Sequence, residues 1–433
     1  MNPVLAGFIG FAVLFTLLAL RMPIGSAMAL VGFGGIWHLI SGQAALTKLA
    51  TVSFETVANY ELAVLPLFLA MAHIVFSTGM GKDLFDLAHK WLGNRPGGVA
   101  MASVAGCAGF AAVSASSVAT AATMGLIALP EMRRLKYDPA LATGSIAAGG
   151  SIGILIPPSG VLIIYGILTE TSIGKLFIAG IVPGVLEAVF YIVTIYIVCL
   201  FNPALGPKGE RYSFKEKILA FKNCGEIIGL IIFVMTGLLV GWFTPTEAGA
   251  AGAFGAILFS LIRKRLTWQK INEAFLETVK TSGMVYLILI GALILNVFVT
   301  LTQIPFIVSE YINGLALPPK AIMVVVMLVY LGLGCFVDAM AMTVLTIPIF
   351  FPIAIRLGFD ALWFGVLVVR AMEIGMITPP IGMNVFVISG VAPDVPIQRI
   401  FKGIMPFLVA DILHVALLLL IPAVVLFLPS IMA

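Results

Sequence analysis

The sequence predicts an all-α polytopic membrane protein built from inverted repeats, with two re-entrant hairpins and two broken helices. Three observations carry this expectation. Of 433 residues, 61% are hydrophobic and only 10% charged, a composition far from that of soluble domains. The apolar residues come in long runs, and about 20 such residues cross roughly 30 Å of hydrocarbon as a helix. These runs lack the two-residue alternation of a membrane β-barrel. Finally, the pattern Gly-x-x-x-Pro-Pro-x-Gly occurs twice, as GILIPPSG at 153–160 and GMITPPIG at 375–382.

Taking the elements in order, the first run, PVLAGFIGFAVLFTLLAL, has no Lys or Arg before Arg21. It lacks the basic n-region of a cleaved signal peptide and reads as a retained spanning helix. Basic residues gather at Arg21, at Lys82 with Lys90 and Arg95, at Arg133, Arg134 and Lys136, at 208–222, at 263–270, and at Arg399 with Lys402. Placing these clusters on the cytoplasmic side gives plain spans over 3–20, 23–40, 61–80, 173–200, 224–243, 246–263 and 275–302. Both termini then lie outside. The stretch DLFDLAHKWL, 83–92, puts Leu84, Leu87, Ala88 and Trp91 on one face, which suits a connecting helix lying in the interface.

Residues 97–134 start and end near basic clusters yet carry SASSVAT in their middle. They read as a re-entrant hairpin whose tip, Ser114 to Thr120, sits near mid-membrane, where irregular backbone is tolerated only if protein or a wet cavity satisfies it. A helix resumes at about 138 and is interrupted at Pro157-Pro158, because proline removes a donor and clashes with the preceding turn. The interruption recurs at an offset of 222, pairing Pro157 with Pro379, Pro158 with Pro380, Gly153 with Gly375 and Gly160 with Gly382. The same offset pairs Pro130 with Pro352, Arg134 with Arg356, Leu135 with Leu357 and Asp138 with Asp360. An odd number of crossings between the copies makes the repeats inverted. The first tip, around Ser116, then corresponds to Asp338 in CFVDAMAMT.

Two tips and two broken helices would converge near the bilayer midplane, exposing carbonyl ends that suit cations and N–H ends that suit anions. The competing account, kinks that merely relieve packing, suits one proline better than two repeated breaks. Other chemistries find little support. Cys107, Cys199, Cys224 and Cys335 are scattered without metal or redox spacing and read as packing residues. GMGK at 79–82 has the wrong spacing for a P-loop. The net charge of +4 reads as cytoplasmic Lys and Arg excess and not as a nucleic-acid patch. An intramembrane hydrolase using a serine at 114–117 needs a positioned base. Of His38, His73, His89 and His414, only His73 and His414 fall in expected spans, neither beside a motif. The chain is not expected to be an enzyme.

The segments SASSVATAAT, GSIGILIPPSGVLIIYG and TSIGKLFIAGIVPG, with the later GMITPPIGMNVF, resemble the large membrane subunit of tripartite ATP-independent periplasmic (TRAP) transporters, over nearly the whole chain. The resemblance implies Na⁺-driven uptake across the bacterial inner membrane. A periplasmic binding protein would deliver an organic anion, and a small membrane subunit, expected as a separate chain, would brace the large one. C4-dicarboxylates, sialic acid and other sugar or keto acids all fit. No cofactor beyond Na⁺ as coupling ion is implied. The resemblance also implies an elevator, in which hairpins and broken helices slide against a scaffold. The mobile parts would be 97–172 and 318–394; the fixed parts would be 1–96 with its interfacial arm helix, 173–317, and 395–433. The alternative is a stand-alone Na⁺/carboxylate symporter of the same architecture without a binding protein.

Sodium takes oxygen ligands. The first break offers Ser114, Ser116 and Ser117 with the carbonyls of Gly153, Ile156 and Pro157; the second offers Asp338, Thr343, Gly375, Thr378 and Pro379. Asp338 is the acid expected at a tip, where a carboxylate needs a partner; the competing role is a helix cap. The serines compete with a packing role. For the transported anion the polar candidates are Ser117, Thr120, Ser159 and Asn384. Arg370 and Glu373 are expected to pair across one helical turn. Asp411 and His414, similarly spaced, are read as an interhelical contact ahead of a proton relay.

Overall fold

The computed structural model describes residues 2–114, 116–307, 310 and 317–432. Ala115, inside the first expected tip, and 308–309 and 311–316, near the expected boundary at 317, lie outside the described residues. Among the described residues every regular element is a helix. Among the described residues, seven segments are long and apolar enough to cross a membrane: Tyr60–Ser77, Ile173–Phe201, Phe214–Val240, Pro245–Ile262, Trp268–Leu301, Ala339–Arg356 and Ile397–Leu420.

The first group of helices is α1 (Pro3–Ala19), α2 (Ile24–Leu39), α3 (Gly42–Ala58), α4 (Val64–Ser77) and α5 (Met80–Leu92). Asn2 opens α1 by accepting from the Val4 N–H at 3.0 Å, with Pro3 in the first turn where its missing donor costs nothing. Ser41 caps α3 in the same way. The sequence expectation had no element at α3, since GQAALTKLATVSFETVA is half polar and never forms an apolar run. The interfacial reading of α5 needs refinement. Leu84 is buried, Leu87 and Ala88 are half-buried, and with Trp91 they line a groove of about 420 Å³ together with Ala105 and Phe221. The helix is anchored by an Asp83–Arg265 ion pair of 2.5 Å. Burial pushes the Asp86 carboxyl above and the His89 imidazole below their ordinary ranges.

Four long helices follow the first break: α10 (Ile173–Phe201), then α11 (Phe214–Val240), α12 (Pro245–Ile262) and α13 (Trp268–Leu301). Capping boxes Ser213/Glu216 and Thr244/Glu247 start α11 and α12, satisfying orphan N–H groups at each end. Consequently α11 begins ten residues before the expected apolar run. α13 begins seven residues before its run, capped by Thr267. α13 runs against α2 and α4, and α12 against α4. The α2/α13 contact is backbone on backbone: a Cβ on Gly291 would stand 2.1 Å from the Gly25 carbonyl oxygen.

The remaining helices repeat. In the first copy are α6 (Gly98–Ser114), α7 (Ser117–Arg134), α8 (Pro139–Ser151) and α9 (Gly160–Thr169). In the second are α14 (Pro319–Gly334), α15 (Ala339–Arg356), α16 (Ala361–Ile377) and α17 (Met383–Val391), followed by α18 (Ile397–Leu420) and α19 (Ala423–Ile431). α7 and α15 share both boundaries at the 222 offset, and α8 and α16 share their start. The details recur too. Asp138 and Asp360 both cap, each accepting from two backbone N–H groups. Lys136 and Gly358 both take positive φ, and Pro157-Pro158 and Pro379-Pro380 are both cis. All four cysteines are free and buried.

Candidate functional site

The first hairpin ends where α6 stops at Ser114 and α7 starts at Ser117. Ser116 caps α7, its Oγ accepting from the Ala119 N–H at 3.3 Å. Thr120 donates to the Ser116 carbonyl at 2.8 Å, and its Oγ1 stands 2.7 Å from Ser114 Oγ. Ser114, Ser117 and Thr120 are buried. The first break faces this tip. α8 ends at Ser151, a single 3₁₀ turn covers Ile152–Ile154, and helix returns only at Gly160. The interruption is thus broader than the two prolines, because the chain tightens a full turn before reaching them. Gly153 sits where a Cβ would lie 2.9 Å from Thr120 Oγ1 and 3.1 Å from the Ser116 carbonyl. Only a residue without a side chain lets tip and break approach this closely. Ile156 packs against Gly184 of α10, and Pro157 lies near Gly180. Ser159 caps α9, accepting from the Leu162 N–H at 3.3 Å.

The second hairpin repeats the arrangement with different chemistry. Asp338 occupies the position of Ser116 and plays its part: it caps α15, Oδ2 accepting from the Met340 N–H at 3.0 Å. Gly375 meets Gly334 at the end of α14, and a Cβ on Gly375 would stand 2.5 Å from the Gly334 Cα. Thr343 donates to the Ala339 carbonyl at 2.7 Å and touches Met372 Sδ, and Thr378 donates to the Ile374 carbonyl at 2.6 Å. Pro379 is exposed.

Asn384 joins the second copy to the first tip. Asn384, in the first turn of α17, accepts from Ser117 Oγ at 2.8 Å through Oδ1, and its Nδ2 donates to the Ala147 carbonyl of α8 at 3.3 Å. Ser117 and Asn384, both expected to meet the anion, are therefore in contact, while Ser159 is engaged in its cap.

The larger surprise lies behind both breaks. Arg370 and Glu373 do pair across a turn, at 3.0 Å, and Asp411 and His414 do make interhelical contacts, but they belong to one network. Arg370 also reaches Glu187 of α10 at 2.8 Å, Asp411 of α18, and His414 Nδ1 at 3.0 Å. Tyr191 donates to Asp411 at 2.6 Å, and Ser151 stands 3.5 Å from Glu187. All these side chains are buried. The sequence expectation had no place for Glu187, Tyr191 or Ser151. Glu187 did carry a signal: it is the sole acid in the 29-residue α10, and an acid inside a spanning helix calls for a partner.

Comparison with known proteins fits this architecture. The family model of the DctM component of the tripartite ATP-independent periplasmic transporter matches residues 11–424. The chain is 35% identical to the C4-dicarboxylate TRAP transporter large permease protein DctM of Pseudomonas aeruginosa, covering 92% of each. It is 30% identical to the sialic acid TRAP transporter large permease protein SiaM of Vibrio cholerae, covering 96% of each. In fold it matches the YdaH transporter of Alcanivorax borkumensis with a TM-score of 0.64 at 13% identity, over 89% of this chain and 90% of that one. With nearly its full length matched, this chain belongs to the DctM family of large permease subunits of TRAP transporters.

Proposed function

We propose that the chain is the solute-moving subunit of a Na⁺-coupled system that takes up an organic carboxylate across the bacterial inner membrane by an elevator motion. The observation that carries this reading is the meeting of each hairpin end with its broken helix, at Gly153 and at Gly375, with the copies tied through Ser117 and Asn384. Irregular backbone of this kind is tolerated at membrane depth only where protein or a wet cavity satisfies it. Helix ends aimed at one place supply carbonyls for Na⁺ and N–H groups for a carboxylate.

In this reading Na⁺ is held at the first break by oxygens of Ser114, Ser116, Ser117, Gly153, Ile156 and Pro157. A second ion is held by Asp338, Thr343, Gly375, Thr378 and Pro379. The anion displaces the Ser117–Asn384 bond and takes both groups, with Thr120 and Ser159 nearby. C4-dicarboxylates and sialic acid, named for the relatives, are the first solutes to try. The hairpins α6/α7 and α14/α15 and the broken helices α8/α9 and α16/α17 move, and α1–α5 with α11–α13 stay. α10 and α18, expected in the fixed part, are better assigned to the moving one, since Arg370 grips both from α16 in a fully buried network. Sliding α16 past them would strand buried ions at several kcal/mol each. A separate small membrane subunit braces the fixed helices, and a periplasmic binding protein delivers the solute.

The experiment is uptake into liposomes carrying this chain with its small membrane partner, with loaded binding protein outside. Uptake should require an inward Na⁺ gradient and be indifferent to ATP. Undiminished uptake under a proton gradient without Na⁺ would overturn the coupling. Full-rate uptake by this chain alone would favour the stand-alone symporter.

A further inference from the structure

α10 and α18 are clamped together on their inner sides and part on their outer ones. Tyr191 donates to Asp411 at 2.6 Å, its ring meets Phe407 edge-on at 5.3 Å, and Phe190 meets His414 at 5.5 Å. Outside these contacts lies a furrow of about 480 Å³. Val189, Val193 and Ile197 of α10 line one side, Val409 and Leu413 of α18 the other, with the small, buried Ala410 between them. The Thr194 hydroxyl spends its hydrogen on the Phe190 carbonyl at 2.8 Å, so the furrow presents an apolar surface.

The furrow runs into a second hollow of about 500 Å³ at the ends of the two helices, and the two share Val198 and Pro406. Here the lining turns charged, with Arg399, Lys402 and Asp138. Asp138 is committed twice, Oδ1 to the first N–H groups of α8 and Oδ2 to Arg399 Nη2 at 2.9 Å. A guanidinium carries five donors, and this bond uses one. Lys402 is exposed and has no ion pair among the described residues. Asp394, the acid preceding α18, is occupied by Arg133 at 2.5 Å.

Exposed valine and leucine identify nothing in a lipid-facing helix; length and charge do. From Lys402 to Leu413 is eleven residue steps, about 17 Å of helix or roughly half of a 30 Å hydrocarbon core. The furrow therefore starts at a basic mouth on the cytoplasmic side and ends near mid-membrane, where Phe190 packs on His414. A partner's spanning helix would follow the seam across the whole bilayer. A lipid of one leaflet reaches half-way and carries its phosphate at the mouth.

We propose that this seam binds an anionic phospholipid of the cytoplasmic leaflet, one acyl chain lying between α10 and α18 and the phosphate held by Arg399 and Lys402. Basic hollows between spanning helices on that side suit such headgroups. The same two helices supply Glu187, Asp411 and His414 to Arg370, so the chain would brace the pair that surrounds the buried network. The proposal does not rest on the sodium or solute reading.

The test is native mass spectrometry of the full chain released from nanodiscs of mixed phosphatidylglycerol and phosphatidylcholine. Phosphatidylglycerol should be retained in preference. Two variants at exposed positions separate the parts of the site. Lys402→Gln should lower phosphatidylglycerol retention about fivefold, what one basic residue near an anionic headgroup is worth, and leave phosphatidylcholine unchanged. Val193→Phe fills the furrow without touching the charges and should lower retention of both. Unchanged retention in either variant would overturn the proposal. So would loss of the lipid on adding the small membrane subunit, which would make the furrow a helix interface. Inorganic phosphate that shields Lys402 from acylation as well as phosphatidylglycerol does would reduce the mouth to a free-anion site and equally overturn it.

Discussion

The two helix breaks share a skeleton and differ in nearly everything attached to it. Around the first, residues 151–155 and 157–166 are all buried, covered by α10 at Gly180 and Gly184, and the facing tip is lined with hydroxyls. Around the second, Pro379, Pro380 and Ile381 are exposed within this chain, Phe336 beside the tip is 63% exposed, and the tip carries a half-buried carboxylate. Directly behind the breaks, at equivalent positions, stand Ser151 and Glu373. Geometry has been kept where chain crosses chain: the Gly pair, the cis Pro-Pro pair and the Asp caps. Chemistry has diverged in the side chains attached to that skeleton.

The largest effect should come from the charges behind the second break. Arg370→Met leaves three buried carboxyl groups without their cation, and breaking a buried pair this way typically costs about 3–5 kcal/mol. Ser151→Ala, the matching change behind the first break, removes only a hydroxyl and should cost about 1 kcal/mol. Denaturation of the purified chains in detergent compares them. Similar losses would mean that the charge asymmetry carries no energetic weight.

Next come the glycines. A Cβ on Gly375 meets backbone at 2.5 Å, which cannot rotate away, whereas a Cβ on Gly153 meets a threonine hydroxyl at 2.9 Å, which can, and backbone, the Ser116 carbonyl oxygen, only at 3.1 Å. Gly375→Ala should therefore cost about 1–3 kcal/mol, the usual range for overpacking. Gly153→Ala should cost less in stability. It should nonetheless disturb uptake, because the Thr120 hydroxyl must leave Ser116 to make room. Equal melting temperatures for the two variants would deny that the crossings differ.

How far this comparison was legible in the sequence depends on what each signal measures. Proline, glycine and capping aspartate act on local backbone, so a 222 offset among them predicted α7 and α15 with shared boundaries. Apolar runs report only the part of a helix that faces lipid. Hence the polar first turns of α11 and α13, and the whole of α3, escaped. Spacing along one helix found Arg370 with Glu373, and Asp411 with His414. It could not show that four helices bring both pairs to Glu187, since that depends on packing between distant segments.

A smaller effect tests the link between the copies. Ser117 and Asn384 share a 2.8 Å bond, and an ordinary hydrogen bond contributes about 0.5–1.5 kcal/mol net. A double-mutant cycle with Ser117→Ala and Asn384→Ala should give a coupling energy in that range. Additive losses would mean that this bond does not couple the repeats. If both groups bind the anion, each single variant should also raise the solute concentration needed for half-maximal uptake.

The smallest stability change is expected at the position where the tips differ most. Asp338 caps α15 as Ser116 caps α7, and asparagine is as good a cap as aspartate. Asp338→Asn should therefore fold and melt within a few tenths of a kcal/mol of the parent, while Asp338→Ala loses about 1 kcal/mol with the cap. Uptake separates the roles. If the carboxylate also holds Na⁺, losing its charge weakens ion binding, and the half-saturating Na⁺ concentration of Asp338→Asn rises although the helix is intact. If capping is its whole role, the Na⁺ dependence stays where it was. Asp360→Asn is the control, because it also preserves a cap and removes a charge, but at the exposed start of α16, away from both proposed ion sites. A rise confined to the Asp338 variant would place that carboxylate in Na⁺ binding. An unchanged Na⁺ dependence in both would leave Asp338 the capping role alone.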